Sequence, residues 1–209
     1  MVIATNGYTG DLWPKLRQSV VPVFSAVIAS EVLPEAMRRM ILARREVLYE
    51  LGEITTYYRV DAQGRLLIGG RSQLRDLDGP QSFRFLARHA RRLWPALAGL
   101  KWEHGWNGQL AMTTDHYPHW HEPAPGVIAC LGYNGRGIAM ATLLGREIAR
   151  RVEGAPPEAL LLPPSPIRPI PLHRAWRAGV TARLYYGRAR MAASATRRLW
   201  RSGGEDARR

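Results

Sequence analysis

The sequence predicts a mixed α+β chain, and three observations carry that prediction. Residues 54–60 and 65–70 are two β-rich runs around Asp61-Ala62-Gln63-Gly64, a four-residue hairpin loop with glycine where a positive φ is expected. Residues 80–97 carry apolar side chains at helical spacing behind Pro80. Residues 126–152 read as an apolar strand, a glycine-rich loop and a helix. With 209 residues, 46% of them hydrophobic, the chain can bury a sizeable core in one domain, or in one domain plus part of another.

In chain order, "VIATNGYTG" is a short β-branched run that stops at a turn at Asn6-Gly7. "SVVPVFSAVIAS", residues 19–30, is a second strand, with Pro22 pointing to an edge or a strand start. After the hairpin, Phe83, Leu86, Ala90, Leu93 and Trp94 define the inner face of a helix over 80–97 with its arginines outward. "LKWEHGWNGQLAMTTDHYP" resumes extended structure, its alternation weakened by Gly105 and Gly108. "GVIACLGY", 126–133, is an apolar strand. Ile138, Ala141, Gly145, Ile148 and Val152 then give one face of a helix over about 136–152. "EGAPPEALLLPPSPIRPIPLHR" is too rich in proline for regular structure and reads as an extended strap over a surface. Trp176, Val180, Leu184, Gly187, Met191, Ala195 and Leu199 form an apolar stripe on a basic tail helix.

The net charge of +13 would point to nucleic acid or an anionic surface if it were spread evenly. It is concentrated: residues 173–209 hold ten arginines against two acids, +8, which leaves +5 for the first 172. With no nucleic-acid module beside it, the tail reads first as a helix docked on protein and next as a membrane-surface contact, with no nucleic-acid partner expected. One cysteine, Cys130, excludes a disulfide framework and a four-cysteine zinc site. The first ten residues lack a signal peptide's basic and apolar regions, and cytoplasm is the expected compartment.

The glycine loop carries the chemistry. The first N–H groups of a helix have no internal partner and point outward at the positive end of its dipole, so a strand, glycine loop and helix form an anion-binding device. The alternative is a helix start that only packs. Gly135-Arg136-Gly137 imitates the opening of a dinucleotide fingerprint, but the third glycine is absent and no strand follows the helix, so this is not a first Rossmann unit.

Three segments carry a resemblance: "VIATNGYTG", "WNGQLAMTTDHYP" and "LGYNGRGIAMATLLGREIA", with "SPIRPIPLHR" after them. On these the chain resembles the carboxy-terminal half of the D-amino-acid-oxidase-like, FAD-dependent amine and amino-acid oxidoreductases, and within them the gamma-glutamylputrescine oxidase branch. The resemblance implies an antiparallel substrate-domain sheet with helices, joined to the carboxy-terminal part of an FAD-binding α/β domain. It divides the chain into 1–16, the end of one FAD-domain segment; 17–107, the substrate domain roofing the flavin; 108–152, a return to the FAD domain; and 153–209, strap and tail. It implies that Ala4, Thr5, Asn6 and Gly7 close the nucleotide domain near the cofactor. Gly132, Tyr133, Asn134, Gly135, Arg136, Gly137 and Ile138 would wrap the ring, the amides after Tyr133 aimed at its electron-accepting system. A helix start at that edge would favour the anionic reduced flavin.

The activity implied is hydride transfer from a primary or secondary amine, such as a gamma-glutamylated polyamine, to FAD, leaving an imine that water hydrolyses. The family's G-x-G-x-x-G βαβ unit has no counterpart in these residues, so the complete FAD site is not expected in this chain. The isolated chain is expected to be inactive, as a truncated product or as a half completed by a separate chain. The competing class is a non-catalytic basic binding module that keeps the fold without the cofactor.

Individual residues have two readings each. Tyr57 and Tyr58 alternate on a strand, so one should face a substrate cavity and one the other side; Tyr57 is the candidate for the substrate pocket, with ordinary sheet packing the alternative for either. Trp106 either walls the amine pocket or packs in the core. Asp115 orders its own turn, and Cys130 is a small buried core residue. His116, His119 and His121 form the nearest approach to a metal cluster, but surface-loop histidines are the default and no metal is expected. No cysteine stands in "AMTTDHYP" for covalent attachment, so the flavin is expected to be noncovalent. Neutral-amine oxidation needs no obligatory protein base, and no catalytic residue is assigned.

Overall fold

The computed structural model describes residues 1–50, 55–183 and 185–187. In chain order the strands are β1 (Val2–Ile3), β2 (Val21–Val32), β3 (Leu48–Glu50), β4 (Thr56–Val60), β5 (Arg65–Arg71), β6 (Trp102–Met112), β7 (His119–Ala124) and β8 (Val127–Leu131). The α-helices with named bounds are α1 (Glu35–Arg38), α2 (Arg84–Leu93) and α3 (Gly137–Val152). The chain forms two compact units: Met1–Phe24 with Gly108–Trp176, and Ser25–Asn107 with Arg177–Arg209. The α+β class is as the sequence predicts.

The second unit is built on an antiparallel meander within a sheet of order β3-β4-β5-β2-β6. The predicted hairpin is present, and Gly64 closes it at φ 85° while the Asp61 carboxylate accepts the Arg65 N–H at 2.8 Å. The β2–β5 register slips between Ala29 and Val32, where the buried Ser30 hydroxyl accepts the Leu66 N–H at 3.0 Å in place of a ladder bond. Pro22 sits at the start of its strand. One sheet face presents Ala26, Ile28, Tyr58, Leu66 and Ile68 to Phe83, Leu86, Ala87 and Ala90 around α2, all of them buried. The predicted helix over 80–97 is shorter than expected. Pro80–Phe83 and Pro95–Gly99 are 3-10 turns flanking α2, because Pro95 disfavours helical φ,ψ at Trp94 and ends the α-helix there.

The first unit has a sheet of order β1-β8-β7, with β1 parallel and β7 antiparallel to β8. Ile3, Ala129 and Leu131 pack with Leu16, Val20 and Ala111 on one side. Trp120, Ile128 and Cys130 pack with Tyr133, Leu144 and Leu160 on the other. The buried face of α3 is not the predicted one. Leu144 and Glu147 are buried with Met140 and Ile148 packed beside them, whereas Ile138 is 92% and Val152 70% exposed. The carboxylate is tolerated inside because it accepts from Arg150 Nη1 at 2.9 Å and from the Leu161 N–H at 3.2 Å.

His119 and His121 lie on β7 instead of a surface loop. Pro123 is accommodated because β7 is an edge strand and slips register between His121 and Ala124. His121 is buried, and its Nδ1 bonds the Ser165 carbonyl at 2.7 Å. With the Ser165 N–H donating to the Trp120 carbonyl and the Ile170 N–H to the Gln18 carbonyl, this pins residues 165–170 as the expected strap. Glu122 holds Arg151, in the last turn of α3, through two hydrogen bonds of 2.8 Å. Residues 176–183 and 185–187 are helical; the rest of the predicted tail stripe, Leu184, Met191, Ala195 and Leu199, lies outside the described residues. Among the described residues no helix is long and apolar enough to cross a membrane.

Candidate functional site

The glycine loop and the turn after β1 are brought together by one side chain. Asn6 has φ 41°, a conformation asparagine tolerates better than most residues. Its Oδ1 accepts the Gly132 N–H at 3.0 Å and the Tyr133 N–H at 3.5 Å. Gly7 is required beside it: a Cβ there would lie 2.5 Å from the Gln109 carbonyl oxygen.

The loop continues through a second asparagine. Asn134, at φ 52°, donates its N–H to the Ala111 carbonyl at 3.1 Å and accepts the Thr113 N–H on Oδ1 at 2.9 Å. Its Nδ2 reaches the Thr113 hydroxyl at 3.0 Å. The Arg136 N–H returns to the Tyr133 carbonyl at 2.9 Å, and the Arg136 guanidinium to the His116 carbonyl at 2.7 Å.

The amides therefore fall into two sets. Those of Gly132, Tyr133, Asn134 and Arg136 are used within the protein. Among the described residues, those of Gly135, Gly137, Ile138 and Ala139 have no acceptor, and no side chain caps α3. Gly135, Ile138 and Ala139 are exposed, so the positive end of a 16-residue helix opens to solvent. Open N–H groups at the positive end of a helix suit a ligand with hydrogen-bond acceptors and negative charge. Ala4 and Thr5 complete the turn, the Thr5 carbonyl accepting the Tyr8 N–H at 2.9 Å.

In the other unit, Tyr57 and Tyr58 do part to opposite faces. Tyr58 is buried on the helix side, edge-on to Trp94 with centroids 5.5 Å apart, and its hydroxyl donates to Glu50; burial and that carboxylate push the phenol well above its ordinary range. Tyr57 lies across the opposite face, over Gly69, where a Cβ would collide with its ring. Its hydroxyl is 3.2 Å from Ser25 Oγ. Trp106 is 45% exposed, so it is not a core residue.

The residue that sequence reasoning missed is Arg71. It pairs in register with Ser25 and alternates with Gly69, which puts it on the Tyr57 face. Burial lowers its pKa, against a smaller opposite effect of Tyr49, and among the described residues it has no acidic partner. Its signal was slight: one arginine ending an apolar strand, in a chain where arginine is everywhere.

Around β7, Asp115 does order its turn, accepting the Tyr117 N–H at 3.0 Å and the His119 ring at 3.0 Å. Cys130 is buried, and burial pushes its thiol up to about 12. Among the described residues no group of three metal-ligating side chains converges.

A family model described as FAD dependent oxidoreductase (DAO) matches residues 1–151. The probable oxidoreductase OrdL of Rhizobium meliloti (strain 1021) is 33% identical over 168 residues, covering 77% of this chain and 37% of that protein. The gamma-glutamylputrescine oxidoreductase of Escherichia coli (strain K12) is 28% identical over 155 residues, covering 74% and 36%. Among solved structures, glycine oxidase from Bacillus cereus ATCC 14579 superposes with a TM-score of 0.58 at 22% identity over 73% of this chain and 42% of that one, a likeness of fold. The chain thus spans little more than a third of the length of these curated relatives.

Proposed function

Because the chain belongs to the DAO family of FAD dependent oxidoreductases, we propose that it forms the carboxy-terminal part of a flavoenzyme that oxidises a primary or secondary amine. A gamma-glutamylated polyamine is the substrate class favoured by the likeness to gamma-glutamylputrescine oxidoreductase. The observation that carries the reading is the uncapped start of α3, with four open amides beside glycines.

FAD, held noncovalently, supplies a two-electron acceptor for the amine's C–H bond. This chain's residues supply its surroundings. The amides of Gly135, Gly137 and Ile138 stabilise negative charge at the facing edge without reorganising. Asn6 and Asn134 keep those amides open by tying the neighbouring ones into the loop. Within the second unit by itself, the partly desolvated guanidinium of Arg71, on the same sheet face as Tyr57, suits the carboxylate that a gamma-glutamyl group carries. We place the pyrophosphate-binding half outside these 209 residues, in a further segment of the same polypeptide or in a separate chain. The support is that α3 leads into a strap rather than a strand, and that the relatives are far longer.

The test is reconstitution. The chain alone, desalted after incubation with FAD, should be colourless; mixed with a polypeptide carrying the G-x-G-x-x-G half, it should retain flavin. Adding gamma-glutamylputrescine without oxygen should then bleach the visible absorbance. A stoichiometric yellow product from the chain alone overturns the divided site, and a flavin-loaded complex that no amine bleaches overturns the reaction.

A further inference from the structure

The second unit holds a cleft unconnected with the flavin reading. It has a volume of about 620 Å³ and is lined by Arg84, Arg88 and Arg91 of α2, with Trp102 on β6 and Pro80 and Gln81 in the turn before the helix. We propose that this cleft binds a small polyanion carrying two or more phosphate or carboxylate groups.

Three observations converge. The first is the charge pattern of α2: Arg84, Arg88, Arg91 and Arg92 occur within ten residues that contain no acid. Arginines at i,i+4 and i,i+3 repel one another, and Arg84 stands in the first turn, where the helix dipole disfavours a cation. A helix face that is simply solvated mixes signs; this one does not.

The second is the absence of compensation. Among the described residues no carboxylate pairs with Arg84, Arg88 or Arg91, although seven arginine–carboxylate ion pairs form elsewhere. Arg84 donates only to the Gln81 side chain, at 3.1 Å. Among the described residues no acid lines the cleft.

The third is size. Arg84 to Arg91 is seven residues, about 10 Å along a helix axis, a span for two or three linked anionic groups. The volume lies within the range of small-molecule sites, roughly 300–1,000 Å³. Guanidinium groups are the donors that take phosphate or carboxylate in pairs of hydrogen bonds.

Calorimetric titration of the full 209-residue chain with inorganic tripolyphosphate, and in parallel with citrate, tests the site at low ionic strength. Saturable binding of either is expected, and the stronger of the two tells phosphate from carboxylate preference. Arg88→Gln with Arg91→Gln should weaken binding by about tenfold or more, the cost of losing charge-assisted hydrogen bonds. Arg92→Gln, which removes one charge from the same helix outside the cleft, should change it by no more than about twofold. Trp102→Phe should remove the ligand-dependent change in tryptophan fluorescence while the far-ultraviolet dichroism stays that of the parent. The proposal is overturned if neither anion binds saturably, if Arg92→Gln costs as much as the cleft pair, or if the fluorescence change survives in Trp102→Phe.

Discussion

Asn6 is the smallest feature on which the site depends. Replacing it by alanine leaves the Gly132 N–H without an acceptor and should cost about 1–3 kcal/mol, read as a lower urea midpoint with an unchanged slope. Asn6→Asp keeps an acceptor and should stay within about 0.5 kcal/mol of the parent. At Arg71 the expected effect is on substrate: in the reconstituted enzyme, Arg71→Gln should raise KM for gamma-glutamylputrescine by roughly 10- to 100-fold with kcat little changed. An equal fall in kcat would place Arg71 in the reaction step itself. At Asp115 burial works against the charge, but the His119 ring, the Tyr117 N–H and Thr113 more than offset it and hold the carboxyl at about 2. A depressed acid stabilises the fold above its ordinary pKa near 4, and that contribution is lost as pH falls toward 2. Asp115→Asn should flatten acid unfolding across that window. The turn at Asn6-Gly7 and the glycine loop before α3 were legible as local structure, because glycine and asparagine accept backbone conformations that few other residues do; a role beside a cofactor came only from the resemblance. Arg71 was not legible, because its meaning comes from desolvation and register, which no local pattern encodes.

Among elements, the strap and α3 have consequences that can be measured. His121 faces the Ser165 carbonyl through Nδ1, while its Nε2 is buried without a partner. Burial lowers its pKa, the Ser165 bond opposes this, and nearby His119 lowers it further. The folded state then binds the proton less readily than the unfolded chain. Docking of the strap is at full strength above about pH 6.5 and weakens as pH falls below it. Hydrogen exchange at the Ser165 and Ile170 amides should accelerate between about pH 6.5 and 5, and in His121→Gln that acceleration should vanish. On α3, Ile138→Asp should leave the urea midpoint within about 0.5 kcal/mol of the parent, because that side chain is 92% exposed, while lowering light scattering at high concentration. Strand, hairpin and helix identities were readable from apolar period and turn chemistry. The buried face of α3 was not, since Glu147 looks like a surface residue until Arg150 and the Leu161 amide are found beside it. β7 was missed because prolines forbid a central strand but not an edge.

For the whole molecule, the two units follow from how the chain is threaded: it leaves the first after Phe24 and returns at Gly108. The parallel pairing of Val2 with Ile128 and Ile3 with Ala129 therefore joins residues made early to residues made after the entire excursion through the second unit. At ribosomal speeds of about 5–20 residues per second, that interval is roughly 6 to 25 s. Val2 and Ile3 spend it without their β8 partners, while the sheet and helix of residues 25–107 emerge and can begin to collapse. Translation order thus makes the unit built on β1 and β8 the later of the two to mature, with its first strand waiting unpaired through the synthesis of residues 25–107.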